Sequence, residues 1–191
     1  MARRVHILDR REVFGGFFRI DEVRLQYERF DGSMSAAMTR LVLDRGDAVA
    51  ILLHDPRRQL VLLCEQFRLP AYDHDGPGWL LEIPAGVVEP GERPEDCARR
   101  EAREETGYIV QSLGPIATVY PSPGGSSERI SIFSAEIAVD DRVPTQGGNV
   151  SEGEDIRVVA LPIAQAFEAA RTGGIQDAKT LIAIQWLELR R

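Results

Sequence analysis

Apolar and polar positions change rhythm along this chain. Between residues 18 and 45, Val23, Leu25 and Tyr27 alternate with polar neighbours. Asp31-Gly32-Ser33 reads as a turn, and Leu41 and Leu43 resume the alternation, which predicts an antiparallel β unit. After Arg45-Gly46 the pattern shifts to near-continuous apolar runs. DAVAILLHD (47–55) and QLVLLCEQF (59–67), joined by the turn residues Asp55-Pro56, suit strands buried on both faces. WLLEIPAG (79–86) reads as a further short strand, and so do PIATVY (115–120), RISIFSAEI (129–137) and IRVVALP (156–162).

Helical signals fall between these strands. Pro94 suits a first turn, Glu95 and Asp96 favour the positive end of the helix dipole, and Gly107 can supply the C-terminal cap. A second helix runs from Ile163 to Arg171 and stops at Gly173-Gly174. Asp177 can cap a third, in which Leu181, Ile184, Gln185, Leu187 and Glu188 divide into an apolar and a polar side. The expected class is strand-rich α/β or α+β, with an antiparallel β unit over 1–45 and the main domain over 46–191.

Bulk properties narrow the function. At 191 residues, with 43% hydrophobic and 28% charged positions, the chain can bury a real core. A net charge of −7 argues against nucleic acid as the main partner, because phosphate contact needs a basic face. The charged start MARRVHILDRREVF lacks the apolar centre of a signal peptide, and no run approaches the roughly 20 apolar residues of a membrane span. Cys64 and Cys97 form neither a disulfide framework nor a zinc site. A cytoplasmic protein is the expectation.

Candidate chemistry concentrates in GVVEPGERPEDCARREAREETGY (86–108). On a helix, Glu101 and Glu105 are i, i+4 neighbours about 5–6 Å apart on one face, and Glu104 flanks them. Like charges at that spacing oppose the helix by about 0.2–0.5 kcal/mol per pair, partly offset by Arg100 reaching Glu104. A solvated, ion-paired helix face would read the same way. A cluster of carboxylates is also what Mg²⁺ or Mn²⁺ prefers.

The wider spacing separates these readings. From Gly86 the chain runs five residues to Glu92, seven more to Arg100-Glu101-Ala102, one to Glu104-Glu105, and one to Gly107-Tyr108. This resembles the signature of the Nudix hydrolases, G-x5-E-x7-R-E-U-x-E-E-x-G-U with U bulky and apolar, at all seven fixed identities. Ala102 is smaller than the usual residue at its U position, and Tyr108 is a milder variant. Beyond the motif, GGFFRIDEVRL (15–25), EQFRLPAYD (65–73), SPGGSSERISIF (122–133), EGEDIRV (152–158) and IAIQWLEL (182–189) look like segments of bacterial ADP-ribose pyrophosphatases. Pro123, sixteen residues after Gly107, matches a substrate-class marker of that group.

The resemblance implies an α/β/α sandwich around a mixed sheet and Mg²⁺-dependent hydrolysis of a nucleoside diphosphate sugar. It implies Glu101, Glu105, the carbonyl of Ala85 and Glu154 as metal ligands, with Glu104 an additional ligand or just behind them. Arg100 would orient the carboxylates, Glu92 would fix the loop against the helix, and Glu152 would be the base acting on water. Phe17 would stack on adenine, Arg40 and Arg68 would donate to phosphates and ribose, and Glu128 would bond a ribose hydroxyl. Relatives of this kind are homodimers joined through the N-terminal β unit. GDP-mannose or another nucleotide sugar is the alternative substrate, and a non-catalytic ADP-ribose sensor a more distant one.

Other motifs fail on inspection. A calcium loop counted from Asp73 places Pro84 where a glutamate is required, and Gly124-Gly125 has no following Lys-Ser/Thr. His6, His54 and His74 have no metal-ligand spacing.

Overall fold

The alternating N-terminal segment forms strands that pair with one another. The computed structural model describes residues 3–73, 76–138, 142–143, 147–148, 153 and 155–190. It divides into two compact units, residues 1–47 with 120–129, and residues 48–119 with 130–191. In the first, β1 (Val5–Gly15), β2 (Arg19–Tyr27) and β3 (Met38–Asp44) make a three-stranded antiparallel sheet in that order. No strand is expected over 5–15 from the sequence. Every residue of β1 is exposed, so no buried face imposes a two-residue period on it. Residues 120–129 join this unit because the Leu43 N–H donates to the Gly125 carbonyl at 2.8 Å and the Ser127 N–H to the Leu43 carbonyl at 3.0 Å. Asp47 and Arg129 form an ion pair beside them.

The second unit is built on β4 (Ala48–Asp55), β5 (Leu60–Phe67), β6 (Trp79–Glu82), β7 (Ala85–Val87), β8 (Gly114–Val119), β9 (Ile130–Glu136) and β10 (Arg157–Pro162). The sheet order is β10-β5-β4-β9-β8, with β6 on β5 and β7 on β4. Strands β4 and β9 run parallel and the other pairings are antiparallel, so the sheet is mixed. The expected single strand over 79–86 is in fact two. At Ile83-Pro84 the chain leaves β5, and Ala85-Gly86 pairs with Val49 and Ala50 of β4. Proline has no N–H for a ladder, but the Pro84 carbonyl still accepts the Ile51 N–H at 2.9 Å.

Helices α1 (Leu69–Tyr72), α2 (Pro94–Glu101), α3 (Ile163–Thr172) and α4 (Ala178–Glu188) complete the unit. Alternate residues of β4 enter opposite layers. Ala48, Ala50 and Leu52 share a core with Ile163 and Phe167 of α3 and Ala183, Ile184 and Leu187 of α4. Val49, Ile51 and Leu53 pack with Cys97, Ala98 and Ala102. This is the α/β/α sandwich, and each wholly buried Val, Leu or Ile in it contributes about 1.5–3 kcal/mol. The small Ala102 is fully buried in the second layer, close under the sheet.

Both later helices end or begin where the sequence indicates. Gly173 closes α3 with a φ of 83°. The Asp177 carboxylate caps α4 by accepting the Thr180 N–H at 3.0 Å. The acidic helix departs from expectation, because the α conformation stops at Glu101. Ala102–Thr106 forms a π-helical turn before Gly107 caps it with a φ of 81°. The Thr106 hydroxyl donates to the Ala102 carbonyl within that turn.

Candidate active site

The acidic helix and the strand before it meet closely. Gly86 sits on β7, which β4 holds through the Val49–Gly86 pairing. The Glu101 carboxylate lies directly over Gly86, where a built Cβ would stand 1.8 Å from Oε1 and 2.2 Å from Cδ. The contact requires glycine for space rather than for an unusual φ. Glu101 is 9% exposed and Glu105 only 2%. Both carboxylates are therefore inward, Glu101 from the end of α2 and Glu105 from the π-helical turn, while the Glu104 side chain is half exposed.

Arg100 gathers the surrounding acids. Its Nε and Nη2 donate to the two Glu92 carboxylate oxygens at 3.0 and 3.1 Å. Nη1 donates to Glu101 Oε1 at 2.6 Å and to Glu104 Oε2 at 3.3 Å. A planar guanidinium suits this, since its fork binds one carboxylate and its remaining edge another. Glu92 in turn accepts the Glu89 N–H at 3.0 Å, closing the loop onto the helix. The Arg100 hydrogen bonds hold the Glu92 carboxyl down at about 2, below the ordinary 4.5. Burial pushes the neighbouring Cys97 thiol up to about 12, so it is an inert packing group.

The donor set fits a hard divalent cation. Glu101 and Glu105 supply two buried carboxylates, and the Ala85 carbonyl lies on the strand just before Gly86. Among the described residues, no three Asp, Glu, His or Cys side chains form a metal cluster by themselves. A cation here would use main-chain oxygen, water or further acids, as Mg²⁺ commonly does. Glu152 and Glu154 lie outside the described residues.

Arg68 stands at the end of β5 in the same unit, engaged by a buried acid. Its Nε and Nη2 donate to Glu82 Oε1 and Oε2 at 2.8 and 3.0 Å. Glu82 also accepts from Lys179 Nζ at 2.6 Å. Burial alone would raise the Glu82 carboxyl, but Arg68 and Lys179 outweigh it and leave it lowered. Neither Glu82 nor Lys179 stands out as a site residue in the sequence. The available signal is a lone acid inside the apolar WLLEIP, which a buried strand tolerates only with a partner.

The other candidates lie in the first unit. Phe17 is 90% exposed and meets Phe18 edge-on at 4.8 Å. Arg40 Nη1 donates to the Thr39 carbonyl at 3.1 Å. Glu128 is largely buried, with Arg45 Nε 3.6 Å from its carboxylate. Of the predicted substrate-binding residues, Phe17, Arg40 and Glu128 belong to the first unit and Arg68 to the second, with the carboxylate helix.

Comparison with known proteins agrees with this architecture. Residues 44–183 match the NUDIX domain. The chain is 43% identical over 187 residues to the ADP-ribose pyrophosphatase of Escherichia coli K12, covering 97% of this chain and 88% of that protein. It is 38% identical to the ADP-ribose pyrophosphatase of Haemophilus influenzae, over 97% of this chain and 86% of the relative. A GDP-mannose pyrophosphatase from Cronobacter sakazakii is 36% identical over 100% of this chain and 98% of its own length. A crystal structure described as an ADP compounds hydrolase superposes with a TM-score of 0.73 at 21% identity, covering 97% of this chain and 92% of its own, and shows the shared fold.

Proposed function

This chain belongs to the Nudix family, and from that premise we propose that it hydrolyses the diphosphate bond of ADP-ribose to AMP and ribose 5-phosphate with Mg²⁺, which Mn²⁺ can replace. The observation that carries the substrate is 43% identity to an ADP-ribose pyrophosphatase across 97% of the chain. The GDP-mannose pyrophosphatase that aligns with the whole chain at 36% identity supports a second reading, hydrolysis of a different nucleotide sugar.

Glu101, Glu105, Glu154 and the Ala85 carbonyl would hold the cation. Bound there, such a cation would neutralise phosphate charge and help activate the attacking water. Arg100 keeps the Glu101 carboxylate pointed over Gly86, with Glu104 alongside as a further acid. Glu152 accepts the proton of the attacking water. Phe17, with its ring in solvent, offers a stacking face for adenine. Arg40 and Arg68 donate to phosphates and ribose, and Glu128 accepts from a ribose hydroxyl.

The working form proposed is a homodimer joined through the N-terminal sheet. Val5, Ile7 and Phe14 of β1 are each more than half exposed. A three-stranded sheet with apolar residues in water is marginal without a cover. A cytoplasmic location accords with two buried cysteines that form no disulfide. No helix among the described residues is long and apolar enough to cross a membrane.

The test is turnover of ADP-ribose, GDP-mannose and other nucleotide sugars, each with Mg²⁺ and with EDTA. Release of AMP from ADP-ribose in preference to all others, abolished by EDTA, is expected. Faster cleavage of GDP-mannose would overturn the substrate and leave the metal chemistry standing.

A further inference from the structure

The 23 basic residues of this chain are 22 arginines and one lysine, Lys179. That lysine is buried, with 12% of its side chain exposed, and it lies between two carboxylates. Nζ is 2.6 Å from Glu82 Oε2 and 2.9 Å from Asp177 Oδ1. Asp177 is itself fixed, because its other oxygen accepts the Thr180 N–H at 3.0 Å and the Thr180 hydroxyl at 2.6 Å. The same hydroxyl accepts the Ile83 N–H at 2.8 Å, tying the start of α4 to the residue after Glu82. A compact ammonium with tetrahedral donors can serve two acids at this spacing, whereas a planar guanidinium needs more room.

At the far side of Glu82 stands Arg68, with 43% of its side chain exposed. Two of its five N–H donors are committed to Glu82. Arg68 and Glu82 form a neutral pair, and so do Lys179 and Asp177. With Asp177 counted, Lys179 adds no net charge to the cluster; it satisfies Glu82 from behind and leaves Arg68 as the exposed cation. It also holds the carboxylate that sets the orientation of the Arg68 fork.

We infer that Lys179 is a positioning residue which, acting through Glu82, aligns Arg68 to receive a nucleoside diphosphate. This rests on Arg68 being an anion-binding group, as in the proposed function, and adds two residues to the substrate site without contact with substrate. Lys179 should therefore govern substrate affinity, while the chemical step depends on the carboxylate helix.

The test compares wild type, Lys179→Met, Arg68→Met and the double variant in ADP-ribose hydrolysis with Mg²⁺. Lys179→Met is expected to raise KM about tenfold and to leave kcat within about twofold. In the Arg68→Met background it should raise KM no further, since its route to substrate is gone. A second reading uses the sole lysine directly. In protein labelled with ¹³Cε-lysine, the single signal should shift when ADP-ribose is added in EDTA, and should not shift in Arg68→Met. An equal rise in KM in both backgrounds, or a lowered Tm with KM unchanged, overturns the inference while the proposed activity stands. If Lys179→Met does not fold, the labelled wild type and Arg68→Met decide. A lysine signal unmoved by ADP-ribose that still raises Tm overturns the inference. Should wild type neither cleave nor bind ADP-ribose, the proposed function and this inference fall together.

Discussion

Replacing Gly86 with alanine asks the most of the active-site geometry for the least change in chemistry. The added Cβ would lie 1.8 Å from Glu101 Oε1 and 2.8 Å from Oε2. Real Cβ contacts essentially never fall below 3.0 Å, so Oε1 must retreat by at least 1.2 Å, from 1.8 to 3.0. Glu101 cannot simply swing away, because Arg100 Nη1 holds that same oxygen at 2.6 Å and is itself clamped by Glu92. Gly86 has no positive φ, so alanine suits its backbone, and the overpacking should cost about 1–3 kcal/mol. That is a fraction of the about 5–15 kcal/mol typical of a folded domain, and the variant should fold. A ligand oxygen displaced by about 1 Å is expected to lower kcat about 10²-fold. The assay is ADP-ribose turnover across an Mg²⁺ titration, with a thermal melt to confirm folding. Folded Gly86→Ala protein turning over within about threefold of wild type at the same Mg²⁺ would refute the argument that this glycine exists to admit Glu101.

Three further outcomes are expected. Glu105→Gln should lower kcat by at least about 10²-fold while the circular dichroism spectrum is retained, and wild-type turnover would remove Glu105 from the site. Thr180→Val keeps the side-chain shape but leaves the Ile83 N–H without its acceptor. It should destabilise by about 1–3 kcal/mol in urea unfolding, and no change in midpoint would show that this bond contributes nothing. The third concerns pH. Glu92 titrates at about 2 in the folded protein against 4.5 ordinarily, so the folded state favours its charged form. Its contribution to stability is therefore full above 4.5 and is lost as the pH falls towards 2. Glu92→Gln should flatten the acid side of a Tm-against-pH profile, and an unchanged slope would place the acid sensitivity in other groups.

Much of this protein is legible along the chain because its elements carry their own local demands. The runs at 47–55 and 59–67 suit strands covered on both faces, and β4 and β5 are covered so in the sandwich. Gly173 and Asp177 mark helix boundaries through backbone φ and a side-chain cap, both set within a few residues. The spacing from Gly86 to Gly107 carries the family because it specifies one loop, one helix and the acids upon it.

What was not legible depends on partners far away in sequence. Strand β1 has no buried face and leaves no period, and it exists because β2 offers it a hydrogen-bonding edge. The break in 79–86 appears once β5 and β4 compete for successive residues of the same segment. Thr106 satisfies the Ala102 carbonyl inside a π-helical turn, which an i, i+4 reading of the acids does not foresee. Glu82 and Lys179 are 97 positions apart, and neither announces the other. Local sequence determined the strands, the caps and the carboxylate helix, because those rest on backbone geometry and solvation within a few residues. Tertiary structure alone decided which buried charges meet, because a buried ion is tolerated only where the fold delivers its counter-ion.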